Sequence, residues 1–85
     1  MPITGDVFIT PHAVRQFQTR IARIRFERAR EIIIEHLREH TVKIQPMPDG
    51  QGATARVRGG DFAFRAVIMP GKPKPSVVTI LRSGK

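Results

Sequence analysis

Glu35-His36-Leu37-Arg38-Glu39-His40-Thr41-Val42-Lys43-Ile44-Gln45 decides the fold, because the period of its apolar residues changes part-way through. Upstream, Phe26, Ala29, Ile33 and Leu37 recur at three- and four-residue spacing, and Ile32 and Ile34 widen the stripe. That pattern predicts an amphipathic helix from about Phe26 to Glu39. Downstream, Val42 and Ile44 alternate with polar neighbours, the two-residue period of a strand over Thr41 to Gln45. A one-sided helix running straight into a one-sided strand predicts an α+β arrangement, with helices gathered on one face of a sheet.

Two more strands follow in the same rhythm. Pro46 to Gly52 is a loop carrying Asp49-Gly50 as its turn signal. Ala53 to Arg58 then sets Ala53, Ala55 and Val57 against Thr54, Arg56 and Arg58. Gly59-Gly60 predicts a short hairpin. Asp61 to Met69 sets Phe62, Phe64, Ala66 and Ile68 against Ala63, Arg65, Val67 and Met69. Pro70 to Pro75 is a stiff loop with Lys72 and Lys74, and Ser76 to Arg82 is the last strand.

Toward the N-terminus, Thr10-Pro11 has the chemistry of a helix start. The Thr hydroxyl can accept from a free first-turn N–H, and Pro is pre-set for the first helical position. Val14, Phe17 and Ile21 continue at helical spacing, predicting a first helix from Pro11 to Arg20 or Ile21. Ile24 and Phe26 stand two apart, which one helical face serves poorly, so a tight turn is expected, with one kinked helix as the alternative. Val7-Phe8-Ile9 is either a brief edge strand or packing beneath the first helix. The expected layout is one domain over 1–85: an arm over 1–6, helices within 11–39, and a sheet over 41–82. The expected fold is two N-terminal helices packed on a four-stranded antiparallel meander.

Composition narrows the chemistry. Cysteine is absent, so disulfides and thiolate zinc sites are excluded. His36 and His40 stand four apart, a metal-competent spacing on a helix, but the glutamate and third ligand of a zinc hydrolase are missing. The expectation is two exposed histidines near a helix C-terminus, with no metal and no cofactor. The net charge is +8, from 15 Lys and Arg against 7 Asp and Glu, which favours polyanion partners. Tyr and Trp are absent, which weakens stacking-based recognition of single strands. Glu27, Glu31, Glu35 and Glu39 line one side of the second helix, either as a solvated face offset by Arg28, Arg30 and Arg38 or as a strip for a protein partner. No apolar run approaches the ~20 residues of a membrane span and no signal pattern is present, so a cytoplasmic location is expected.

The candidate site follows from the alternation. Arg56, Arg58 and Arg65 fall on adjacent strands of the outer face and are expected close together. Thr79 sits mid-strand and Arg82 closes that strand. With His12 in the first helical turn and Arg20 two turns later, these residues outline a basic cleft holding one group that titrates near neutrality. Metal-free RNA cleavage needs a base for the 2′-hydroxyl, an acid for the leaving oxygen, and cations on the phosphate. The expected catalytic set is His12, Arg20, Arg65, Thr79 and Arg82, with Arg15, Arg56, Arg58, Lys72 and Lys74 as nucleic-acid contacts.

Ile9-Thr10-Pro11-His12-Ala13, Arg20, Ile24 to Ala29, and Val77-Val78-Thr79-Ile80-Leu81-Arg82 together resemble a small bacterial and phage domain. It has a T-x-H-A helix start, a downstream Arg, and a closing V-V-T-hydrophobic-R strand. Phe26 to Ala29 is similar to the helix start of BrnT toxins, which belong with the RelE-like ribonucleases. The resemblance spans Ile9 to Arg82. It implies a RelE-like fold, metal-independent ribonuclease activity on RNA or ribosomes, and an antitoxin partner. By position it matches His12, Arg20, Thr79 and Arg82, with Arg65 on the penultimate strand. Because the chain has no Tyr, a mechanism using a terminal tyrosine is excluded.

Three readings follow. One is a toxin or phage-borne effector cleaving RNA by His/Arg acid–base catalysis. The second is a non-catalytic basic module, of phage or mobile-element origin, binding nucleic acid or a host protein. The third is an accessory protein that docks through Glu27, Glu31, Glu35 and Glu39.

Overall fold

A computed structural model describes residues 7–48, 50, 52–71 and 74–82. The expected arm, Asp49 of the turn, and Lys72 lie outside the described residues. In chain order the elements are β1 (Phe8–Ile9), α1 (Pro11–Arg20), α2 (Phe26–Glu39), β2 (Thr41–Pro46), β3 (Ala53–Val57), β4 (Phe64–Met69) and β5 (Ser76–Arg82). No helix among the described residues is long and apolar enough to cross a membrane.

Helix α1 starts as its sequence predicts. The Ala13 N–H donates to Thr10 Oγ1 at 3.2 Å, and Pro11 takes the first position. The same hydroxyl donates to the Val77 carbonyl at 2.9 Å, so Thr10 both caps α1 and ties it to β5. A turn and an extended link over 21–25 separate the helices, and Gln18 Nε2 holds the link by donating to the Ile24 carbonyl at 2.8 Å. Helix α2 has Arg25 at its N-cap with no side-chain capping bond. Phe26, placed by its spacing in the buried stripe, is 39% exposed, because as the first helical residue it projects beyond the layer that buries Ala29 and Ile33.

The core lies between the helices and the inner face of the sheet. Phe17 of α1 meets Phe64 and Phe62 edge-to-face, with centroids at 5.5 and 5.6 Å. Val14, Ile33, Leu37, Val57, Val77 and Ile80 fill the space around them and are fully buried. Phe17 therefore anchors α1 to the sheet, with aromatic contacts that add to plain area burial.

The sheet has five strands in the order β1-β5-β4-β3-β2 and is mixed. This corrects the four-stranded antiparallel expectation. The meander β2 to β5 is antiparallel throughout, but β1 adds a fifth strand parallel to β5, pairing Phe8 with Ser76 and Ile9 with Val77. Two residues are too few for a period to declare itself, and direction depends on where α1 returns the chain. A second correction concerns the Gly59-Gly60 hairpin: β3 ends at Val57 and β4 begins only at Phe64, so the connection is longer than two residues.

A third correction concerns the histidine pair. His36 is buried beneath Phe62 and Phe64, and only His40 is partly exposed. His36 Nδ1 lies 2.9 Å from the Ile32 carbonyl and must carry the proton to bond it. Nε2 has no partner among the described residues and faces Gly60, where an added Cβ would sit 2.8 Å from it and 2.7 Å from His40 Cδ2. The pair serves as packing under a close-approaching glycine, and no cluster of three metal-ligating side chains occurs among the described residues.

Candidate nucleic-acid interface

Pairing registers fix what the outer face of the sheet displays. Lys43 pairs with Arg56, Arg56 with Arg65, and Arg65 with Leu81, so three cations stand in one row on adjacent strands. Strands lie about 4.8 Å apart, so the row spans roughly 10 Å. The next row reads Gln45, Thr54, Val67 and Thr79. Lys43, Gln45, Thr54, Arg56 and Arg65 line a shallow depression. Among the described residues the sole ion pair is Arg28–Glu31 on exposed α2, so no carboxylate neutralises this row. Like charges directly opposite on neighbouring strands destabilise a sheet.

Two bulges lie beside these rows. Val42 is an extra residue on β2, and Val78 is an extra residue on β5. The first lets Thr41 face inward opposite Val57 although Ile44, three residues on, faces inward too. The second lets both Val77 and Ile80 face the core although they are three apart.

Three arginines knit one end of the sheet to α1. Arg65 donates through Nε and Nη2 to the Arg82 carbonyl, each at 3.3 Å. Arg82 Nε donates to the Arg20 carbonyl at 3.2 Å, and Arg20 Nη1 donates to the Ile80 carbonyl at 3.1 Å. The Ile80 N–H in turn donates to Gln16 Oε1 at 3.0 Å. Each guanidinium has five N–H donors, so Arg65 and Arg82 keep donors for a phosphate. Arg20 is occupied with the β5 edge.

The sequence-predicted residues divide accordingly. Arg20, Arg65 and Arg82 meet at one end of the sheet through backbone carbonyls, Arg65 sharing the outer face with Thr79, and Arg82, opposite buried Phe64, lying with Arg20 on the helix side. His12 is exposed in the first turn of α1, near the Val77 end of β5. Eight residues separate it from Arg20, about 12 Å along the axis. The structure therefore places His12 apart from the arginine cluster. Arg56 joins the row, whereas Arg58 lies just beyond β3, exposed, with its N–H on the His40 carbonyl at 3.0 Å. Arg15 is exposed on α1 and Lys74 is exposed before β5.

Lys43 and Gln16 escaped the sequence reading. The alternation of β2 carried a signal for Lys43, since Ile44 inward implies Lys43 outward. Nothing in the spacing disclosed that Gln16 would serve as a strand partner.

Glu27, Glu31, Glu35 and Glu39 are all exposed on α2, and Arg28 pairs with Glu31 at 3.2 Å. A second concavity, wide open, is lined by Gln18, Thr19, Arg23, Ile24 and Arg25 at the helix link. It is also basic, but lacks the ordered row of the sheet face. Compared with known proteins, the chain matches no family model, no curated protein and no solved structure.

Proposed function

We propose that this protein binds nucleic acid, RNA in the first place, by laying the phosphate backbone across the outer face of its sheet. Lys43, Arg56 and Arg65 are the primary phosphate contacts. The observation that carries this reading is the in-register row of three cations with no acidic neighbour among the described residues. Such a row costs folding energy in the free protein, and a polyanion offsets that cost on binding. The face has no aromatic side chain in its two central rows, so recognition proceeds through the backbone rather than by base stacking. RNA is preferred to DNA on the resemblance to BrnT and the RelE-like ribonucleases.

A second reading, metal-independent RNA cleavage in a toxin or phage-borne effector, draws on the meeting of Arg20, Arg65 and Arg82 at one end of the sheet. A phosphodiester there would meet cations able to stabilise charge developing on its oxygens. His12 stands away from that cluster, so this reading assigns the acid–base step to it only if the RNA spans both ends of α1. An antitoxin would be the partner in that setting, with the α2 glutamates as its candidate contact.

The test is labelled RNA with the purified protein in EDTA, across a salt series, comparing wild type with Arg56→Gln, Arg65→Gln and His12→Ala. Binding alone predicts intact RNA, retained with a log–log salt slope of about −2 for three single-strand phosphate contacts. It also predicts a loss on Arg56→Gln and none on His12→Ala. Cleavage in EDTA that disappears in Arg65→Gln would establish the second reading, and its loss in His12→Ala would put that histidine in the mechanism. No retention of RNA even at low salt would overturn both.

A further inference from the structure

Strand β2 closes one side of the sheet, and among the described residues its outer edge has no partner. Four large apolar side chains are exposed among the described residues, and two of them, Val42 at 55% and Ile44 at 42%, lie on this strand. Ile44 points to the inner face, opposite buried Ala55, yet remains uncovered.

The direction of the backbone groups on this edge follows from the ladder. The Met47 N–H donates to the Gly52 carbonyl across the β2–β3 pair, so Gln45 and Lys43 also bond toward β3. Carrying that alternation across β3 and β4 turns both Ile80 backbone groups away from β4, where Gln16 and Arg20 are found bonded to them. The same alternation leaves the Ile44 N–H and C=O facing outward with no strand beside them. Pro46 has the same parity, and its lack of an N–H costs nothing on an open edge.

We propose that β2 is a homodimer interface, in which a second copy pairs its own β2 antiparallel across a two-fold axis at Ile44. This register is self-complementary. Ile44 exchanges both backbone hydrogen bonds with Ile44 of the second copy, and the two exposed side chains meet on the inner face. On the outer face Lys43 falls opposite Gln45 of the second copy, a neutral partner, rather than opposite another lysine. A two-fold axis one residue away is poorer on either side: at Lys43 it sets Lys43 against Lys43, and at Gln45 it sets Ile44 opposite Pro46, which has no N–H to give. Charge and the supply of donors thus favour the same pairing.

The interface is short, so association is weak, and it strengthens with salt because each copy carries +8. The proposal does not rest on the RNA reading, since dimerisation is measured with no nucleic acid present. If both hold, the two cationic rows lie on one continuous outer face of the paired sheets, offset from each other by two residues, about 7 Å.

Sedimentation of the full chain over a concentration series tests it, with Gln45→Glu and Gln45→Lys as a charge-reversal pair on an exposed position away from the core. Gln45→Glu meets Lys43 of the second copy and is expected to tighten the dimer. Gln45→Lys opposes it and is expected to loosen the dimer, by roughly two- to thirty-fold over the two symmetric contacts. Ile44→Cys supplies the chain's only thiol and is expected to crosslink two copies on mild oxidation, because hydrogen-bonded antiparallel partners sit about 5.5 Å apart at Cα. A wild-type chain monomeric at every concentration, or two Gln45 variants shifting in the same direction, would overturn the proposal. RNA retention unchanged alongside either result would leave the RNA reading standing.

Discussion

The two edges of this sheet solve the same problem in opposite ways. At the β5 side, β1 covers Ser76 and Val77, and past its end α1 continues the ladder with side chains: Gln16 accepts from the Ile80 N–H and Arg20 donates to the Ile80 carbonyl. Thr10 adds a backbone and a hydroxyl bond to the Val77 carbonyl. At the β2 side nothing comparable is present among the described residues, and a bulge, an outward lysine and a proline stand there instead. Those three devices are the usual means of blunting an edge against indiscriminate pairing. The lesson is that the protein closes the edge beside its arginine cluster with its own helix and leaves the far edge selective rather than sealed.

The largest expected effect breaks the closed edge at its anchor. Phe17→Ala removes the ring wedged on Phe62 and Phe64 and is expected to destabilise by about 3–5 kcal/mol, read from denaturant unfolding. Loss of α1 packing exposes the β5 edge, so aggregation on partial unfolding should accompany it. A cost below ~1 kcal/mol would mean that α1 is held mainly by its polar bonds to β5. Next in size is Gln16→Leu, which keeps the helix but strips the acceptor from the Ile80 N–H. Leaving that donor unpaired should cost about 1–3 kcal/mol, with hydrogen exchange at Ile80 accelerating more than at Ala66 beside it. Equal acceleration at both would show global rather than edge-local opening.

The contrast between the edges also marks what the sequence could reveal. Helices α1 and α2 and strands β2 to β5 were legible because each repeats its apolar period several times, and Thr10-Pro11 announced a helix start that the structure contains. The edge strand within Val7-Phe8-Ile9 was one of the two readings its sequence left open, but its parallel direction was not legible, since two residues carry no period. Burial of His36 was hidden for a different reason: its place on the apolar stripe beside Leu37 is visible, but the close approach of Gly60 over both imidazoles is a tertiary fact. Residue by residue, the candidate site was legible where it depends on alternation, as for Arg56 opposite Arg65. It was not legible where it depends on helix placement. The course of α1 along β5 separates His12 from Arg20.

The smallest expected effect concerns the outer face that lies between the two edges. Arg56 is the middle cation of its row, with Lys43 on one side and Arg65 on the other, and it is exposed. Arg56→Gln relieves two like-charge oppositions without touching the core. It should therefore raise stability by a few tenths of a kcal/mol, the scale of cross-strand charge pairs and of surface substitutions generally. The gain should shrink as salt is added, because screening already weakens the repulsion in the parent. RNA retention should move the other way, weakening across sequences alike and losing about one phosphate contact from the salt slope. A protein made more stable and less retentive by one substitution is one whose outer face is held in electrostatic strain for a ligand. If Arg56→Gln instead destabilised by more than ~1 kcal/mol, the row would have to be a structural feature of the sheet. The phosphate would then need another seat, for which the basic concavity lined by Gln18, Arg23 and Arg25 at the helix link is available.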